Sequence, residues 1–101
     1  PPTFVSRGVR VLERRQVGND RQHLKLSLFD GRIAWDAIAF RQGERADKLP
    51  DLIDILYYLE VNEWRNEPRL QLNVQDLRDA SEDDIERQLT AATASGEDEA
   101  A

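Results

Sequence analysis

Six side chains in this 101-residue chain are of a type and in a setting to grip a nucleic-acid strand: Lys25, Arg14, Arg41, Arg65, Arg69 and Trp64. Lysine and arginine displace the counterions condensed on a phosphate backbone. An indole among polar neighbours can stack on an unpaired base, a contact worth roughly 1–3 kcal/mol. Catalytic chemistry is harder to find. Two-metal hydrolysis needs carboxylates and histidines gathered around ions about 4 Å apart, and this chain has one histidine, His23, and no cysteine. A lone histidine at a strand start reads as a structural or edge residue before it reads as a ligand. No catalytic residue, metal site or cofactor of the chain's own is therefore expected.

Each candidate also has a plainer role. Lys25 lies on the strand face opposite Leu24 and Leu26, where it either pairs with Asp36 or meets a phosphate; an exposed ion pair of that kind is worth under about 1 kcal/mol and exchanges readily. Arg14, with its neighbour Arg15, lines the same groove or simply solvates a long strand. Arg41 and Arg45 face the same choice. Trp64 stacks on a base or folds back to close the end of a barrel. Closure is favoured, because Asn62-Glu63-Trp64 follows directly on a strand with a buried face. Trp35 is placed in the core among leucines.

The elements that must hold these residues are strands. Ile55, Tyr57, Leu59 and Val61 alternate, as do Leu70, Leu72 and Val74, the period-2 pattern of strands with one buried face. If Val61 faces Leu70, residues 62–69 form a hairpin tip carrying Trp64, Arg65 and Arg69. Phe4 to Val17 reads as a long, twisted first strand rich in valine, with Gly8 at a bend or bulge. Gly18-Asn19-Asp20 is a turn by composition, and His23 to Phe29 a second strand. Asp30-Gly31 fits a two-residue type I′ hairpin. That register sets Leu28 against Ile33, Leu26 against Trp35, Leu24 against Ala37 and Lys25 against Asp36. Beyond Ala37 the apolar phase moves to Ile38 and Phe40, so a bulge or a covered second face is expected there. Arg41 to Lys48 suits one or two helical turns ended by Pro50.

Ser81 with Asp84 resembles a capping box opening a short helix through Leu89, and residues 90–101 have the composition of a disordered tail. Residues 1–80 carry thirteen Lys/Arg and thirteen Asp/Glu, whereas residues 81–101 carry one Arg and seven acids, so the whole net charge of −6 sits in the tail. A neutral body can still hold a local basic groove. The length allows one domain, residues 1–80, followed by the acidic tail 81–101. With 40% hydrophobic and 34% charged residues and no apolar run near the roughly 20 residues of a membrane helix, no membrane partner is expected. Lacking cysteine and a visible export signal, the chain is expected to be cytoplasmic. Its start at Pro1 suggests a piece of something longer.

Three strands, a short helix and two strands, in that order, are the elements of an OB-fold: an all-β, five-stranded Greek-key barrel with its helix between strands three and four. An SH3-like barrel is the alternative. His23-Leu24-Lys25-Leu26, Asp36-Ala37-Ile38-Ala39-Phe40, Val61-Asn62-Glu63-Trp64, and Leu70-Gln71-Leu72 with Val74, Asp76, Leu77 and Arg78 together resemble the C-terminal OB domain of the RecJ family of single-strand-specific 5′→3′ exonucleases. The resemblance covers about residues 4–79; Asn66 departs from it where the family often has glycine. It implies a domain that helps to hold single-stranded DNA in repair and recombination, joined in the family to a phosphoesterase core using manganese or magnesium. That core, and any DHH triplet, is outside this sequence. The rival reading is a protein-interaction module that docks a repair protein through a sheet edge or the acidic tail.

Overall fold

The computed structural model describes residues 1–81, apart from the side chain of Trp64. The expected helix from Ser81 to Leu89 and the tail after it lie outside the described residues. Five strands run in the order β1 (Phe4–Val17), β2 (His23–Phe29), β3 (Ala34–Ala39), β4 (Leu52–Trp64) and β5 (Glu67–Asp79). Short 3-10 segments at Asn19–Arg21 and Gly43–Lys48 connect β1 to β2 and β3 to β4. The strands close into a barrel in the order β1-β2-β3-β5-β4. Closure works because β1 serves twice: Arg10 to Val17 pair with β2, and Phe4 to Arg10 with β4. With the parallel β3–β5 contact and a helical insertion between β3 and β4, this is an OB fold. None of the described helices is long and apolar enough to cross a membrane.

A strand that must bend to join two neighbours needs a weak point, and Gly8 supplies it. It sits at φ 64° where the β1–β4 register slips between Ser6 and Val9. The Gly8 N–H freed by the bulge donates to Asp54 Oδ1 at 2.9 Å, and Arg78 Nε donates to Asp54 Oδ2 at 3.0 Å. Asp54 is 4% exposed, a burial tolerated because both carboxylate oxygens are bonded.

The core follows the alternation read from the sequence. Leu24, Leu26 and Leu28 of β2 meet Ile53 and Ile55 of β4, with Val9, Val11, Ala37, Ala39, Leu72, Val74 and Leu77 filling between them. Ala46 and Leu49 of the β3–β4 connection belong to the same cluster. Truncating one of the buried leucines to alanine costs about 2–5 kcal/mol. The connection is 3-10 rather than α, and Gly43 is pressed onto the chain behind it. A Cβ there would lie 2.0 Å from the carbonyl oxygen of Arg21, while Gly43 N–H donates to Gln22 O at 2.9 Å.

Two expectations are corrected. The β2–β3 hairpin turns at Gly31-Arg32 and not at Asp30-Gly31, since Phe29 pairs with Ala34 and Asp30 N–H donates to Ile33 O at 3.3 Å. The register therefore slips by two residues, to Leu28–Trp35, Leu26–Ala37, Leu24–Ala39, Ser27–Asp36 and Lys25–Ile38. The physical reason is the Asp30 carboxylate, whose Oδ1 accepts from the N–H groups of both Arg32 and Ile33 at 2.8 Å and whose Oδ2 accepts from Trp35 Nε1 at 3.1 Å. Asp30 acts as the cap of the turn instead of a member of it. A slip of two leaves the paired side chains of β2 and β3 on their expected faces, while Ile33, expected opposite Leu28, falls outside the ladder and is 55% exposed.

The second correction concerns the β4–β5 tip. Val61 does face Leu70, but pairing continues through Asn62–Arg69 and Glu63–Pro68 to Trp64–Glu67. The turn is two residues, Arg65 and Asn66, at φ 52° and 66°, the positive pair that type I′ requires. Residues 62–64 and 67–69 are strand. The hairpin is an arm that outruns the barrel, and Leu59, Val61 and Leu70 on its apolar side are 42%, 61% and 53% exposed instead of buried.

Candidate nucleic-acid interface

Between β2 and the root of the arm lies a groove of about 410 Å³ lined by Lys25, Asp36, Asn62, Glu63, Arg69, Leu70 and Gln71. Its floor is set by side chains that alternate outward from buried neighbours. On β2, Lys25 stands between core residues Leu24 and Leu26. Its partner across the ladder is Ile38, whose own partner on β5 is Asn73. Ile38 and Asn73 are 7% and 6% exposed. The apolar shift at Ile38 is thus a covered second face; the β2–β3 register carries no bulge.

Lys25 is held by an amide and not by Asp36. With its amide oxygen toward the lysine, Gln71 accepts from Lys25 Nζ at 3.1 Å and donates to Glu60 Oε1 at 3.2 Å. Asn73 Nδ2 donates to Tyr58 Oη at 2.8 Å, and its Oδ1 accepts from Gln75 Nε2 at 2.8 Å. This network fixes the groove wall while leaving an ammonium that can exchange its neutral partner for a phosphate. The groove's cations, Lys25 and Arg69, are balanced by Asp36 and Glu63, so its net charge is zero.

The remaining candidates fall in different places. Arg69, opposite Asn62, joins Lys25 in the groove. Arg65 occupies the turn at the end of the arm, and Trp64, the last residue of β4, pairs with Glu67. Arg41 stands apart from the groove, just past β3, at φ 63°, with its N–H donating to His23 Nδ1 at 3.0 Å. Arg14 is engaged elsewhere. Its register partner is Leu26, a core residue, and its guanidinium donates to the carbonyl of Leu49 and lies 3.8 Å from Asp51 Oδ1. It ties the β3–β4 connection to β1. The cation beside the groove is its neighbour Arg15, the register partner of Lys25. Gln71 and Asn62 were missed by sequence reasoning, since neutral amides in a polar strand carry no signal until the ladder places them beside a lysine.

A match to the model of the RecJ OB domain family over residues 1–76 decides what this barrel is. The chain belongs to the RecJ OB domain family. Over 71 residues it is 38% identical to the single-stranded-DNA-specific exonuclease RecJ of Haemophilus influenzae, an alignment covering 64% of this chain and 12% of that protein. It is also similar to the crystal structure of RecJ in complex with Mg2+ from Thermus thermophilus, with TM-score 0.61 and 28% identity, covering 79% of this chain and 12% of that one. The chain thus spans about an eighth of the length of these two relatives. The magnesium of the Thermus protein has no counterpart among the described residues. No group of three or more His, Cys, Asp or Glu among them could hold a metal, and the histidine Nδ1 is already an acceptor for Arg41.

Proposed function

We propose that this RecJ OB domain binds single-stranded DNA and is the non-catalytic, strand-holding part of a RecJ-like exonuclease of DNA repair and recombination, working in the cytoplasm. The observation that carries the reading is the meeting of Lys25 and Arg69 in one groove between β2 and the β4–β5 arm, in a family whose Haemophilus relative is by name specific for single-stranded DNA. An OB barrel commonly engages nucleic acid at this place. Balanced charge in the groove means that affinity comes from several weak phosphate contacts, suited to holding a strand that a neighbouring domain cuts. The metal chemistry would belong to that neighbour.

Fluorescence anisotropy of labelled oligonucleotides against the 101-residue chain tests the reading. At low salt single strands bind and a duplex of equal length competes poorly, and added manganese or magnesium leaves the strand uncut. Metal-dependent cleavage abolished by a substitution in this chain would overturn the non-catalytic assignment.

A second reading has its own observation. From Tyr58 to Trp64, β4 pairs with β5 alone, and β5 from Glu67 to Gln71 pairs with β4 alone, so both outer edges of the arm are open beside exposed Leu59, Val61 and Leu70. Such an edge can take a strand from a repair protein. Absence of single-strand binding even at low salt, with this arm intact, favours docking as the main role.

A further inference from the structure

Phe40, the residue after β3, is an exposed apolar side chain beside His23 of β2. It is 51% exposed and its ring meets that of His23 edge to face, centroids 5.0 Å apart at 80°. His23 itself has little freedom. Gly18, at φ 85°, leaves room for the imidazole, since a Cβ there would lie 2.8 Å from His23 Cδ2. On another side the N–H of Arg41 donates to Nδ1, which places the ring proton on Nε2. Arg41 adopts φ 63° to make that bond, a left-handed backbone that non-glycine residues adopt at a cost. Glycine, left-handed arginine and imidazole together hold one phenylalanine ring in place with half its surface in water.

Cations stand on the strands beside that ring, and Arg41 is the next residue in the chain. His23 and Lys25 are two residues apart on β2 and so share a face, and the β1 partner of Lys25 is Arg15. The ion pairs of Arg14 with Asp51 and of Arg78 with Asp54 involve neither Arg15 nor Arg41, and among the described residues these two have no carboxylate partner. An ordered aromatic face flanked by such cations matches an unpaired nucleotide, base on the ring and phosphates on the guanidinium and ammonium groups.

We propose that Phe40, buttressed by His23, is a base-stacking position for a single strand whose phosphates run from Arg41 past Arg15 and Lys25 into the groove. The proposal rests on the single-strand-binding reading and adds to it a fixed place where the strand is read as bases and not only as charge. Stacking of this kind tolerates every base, because each has a π-face.

Two measurements on the 101-residue chain test it. In the first, Phe40→Ala and Phe40→Trp are titrated with a short single-stranded oligonucleotide. The alanine variant is expected to bind roughly 5- to 100-fold more weakly with an unchanged salt slope, and the tryptophan variant at least as tightly as wild type. In the second, the wild-type chain is titrated with an oligonucleotide of the same length made of abasic units, which keeps the phosphates and lacks the bases. Binding is expected to fall by a similar factor, and Phe40→Ala is expected to lose no more on this ligand. An alanine variant that binds like wild type, or abasic and normal strands that bind wild type equally, would overturn the stacking role while leaving single-strand binding intact. No binding of wild type to either strand would instead remove the reading on which it rests.

Discussion

Asp30 gathers three donors on one carboxylate: the N–H groups of Arg32 and Ile33 and the indole N–H of Trp35. The Ile33 amide, then Trp35 and then Arg32 hold its pKa below the ordinary carboxylate value of 3.8. A carboxylate depressed in the folded state adds stability that is present above its unfolded pKa and is lost as pH falls through the lower folded one. The β2–β3 turn should therefore stay intact through mildly acid pH and loosen only below the usual carboxylate range. Followed by NMR, the Trp35 indole proton should titrate there, and Asp30→Ala should remove the step and shift the resonance at neutral pH. A titration midpoint at or above 3.8 would contradict the assignment. At this scale the sequence was legible for type and less so for partner. Lys25 was placed on its correct face, yet its companion proved to be Gln71, because a two-residue slip in the turn preserves facing while changing every pairing.

The elements were read more closely than the turns between them. The bounds of β1 and β2, the bulge at Gly8 and the pairing of Val61 with Leu70 all follow from alternation and glycine placement, which are local signals. The arm was harder. Asn62, Glu63, Glu67 and Arg69 are polar and exposed beyond the barrel, and a strand without a buried side has no period to read. Its turn at Arg65-Asn66 likewise departs from the glycine that type I′ turns favour. The arm also carries a prediction, since Arg69 lines the groove and Arg65 ends the arm. Each cation that meets a single-strand phosphate adds about 0.7 to the slope of log affinity against log salt. Changing Arg65 and Arg69 together to alanine should weaken binding and flatten that slope by up to roughly 1.4, with the thermal melt little changed. An unaltered slope would move the strand's path off the arm and toward β2 and β3 alone.

For the molecule as a whole, the informative number was where the charge lies. The body carries thirteen charges of each sign and residues 82–101 carry the excess of six negative ones, so overall acidity does not describe the barrel surface. Acidic residues tethered to a domain can compete with phosphates for its cations. Removing residues 82–101 should leave the melting temperature unchanged and tighten single-strand binding, more at low salt than at high. A large fall in melting temperature would mean that this segment stabilises the barrel, and weaker binding would mean that it helps to hold DNA.

Amide shift mapping of the isotope-labelled 101-residue chain, titrated with a short single strand at low salt, tests the central claim most directly. The account predicts perturbations concentrated at His23, Lys25, Phe40 and Arg41, at Gln71 and Arg69 in the groove, and at the Arg65-Asn66 turn. Perturbations absent altogether, or confined to Leu59, Val61 and Leu70 and the open edges of the arm, would contradict it.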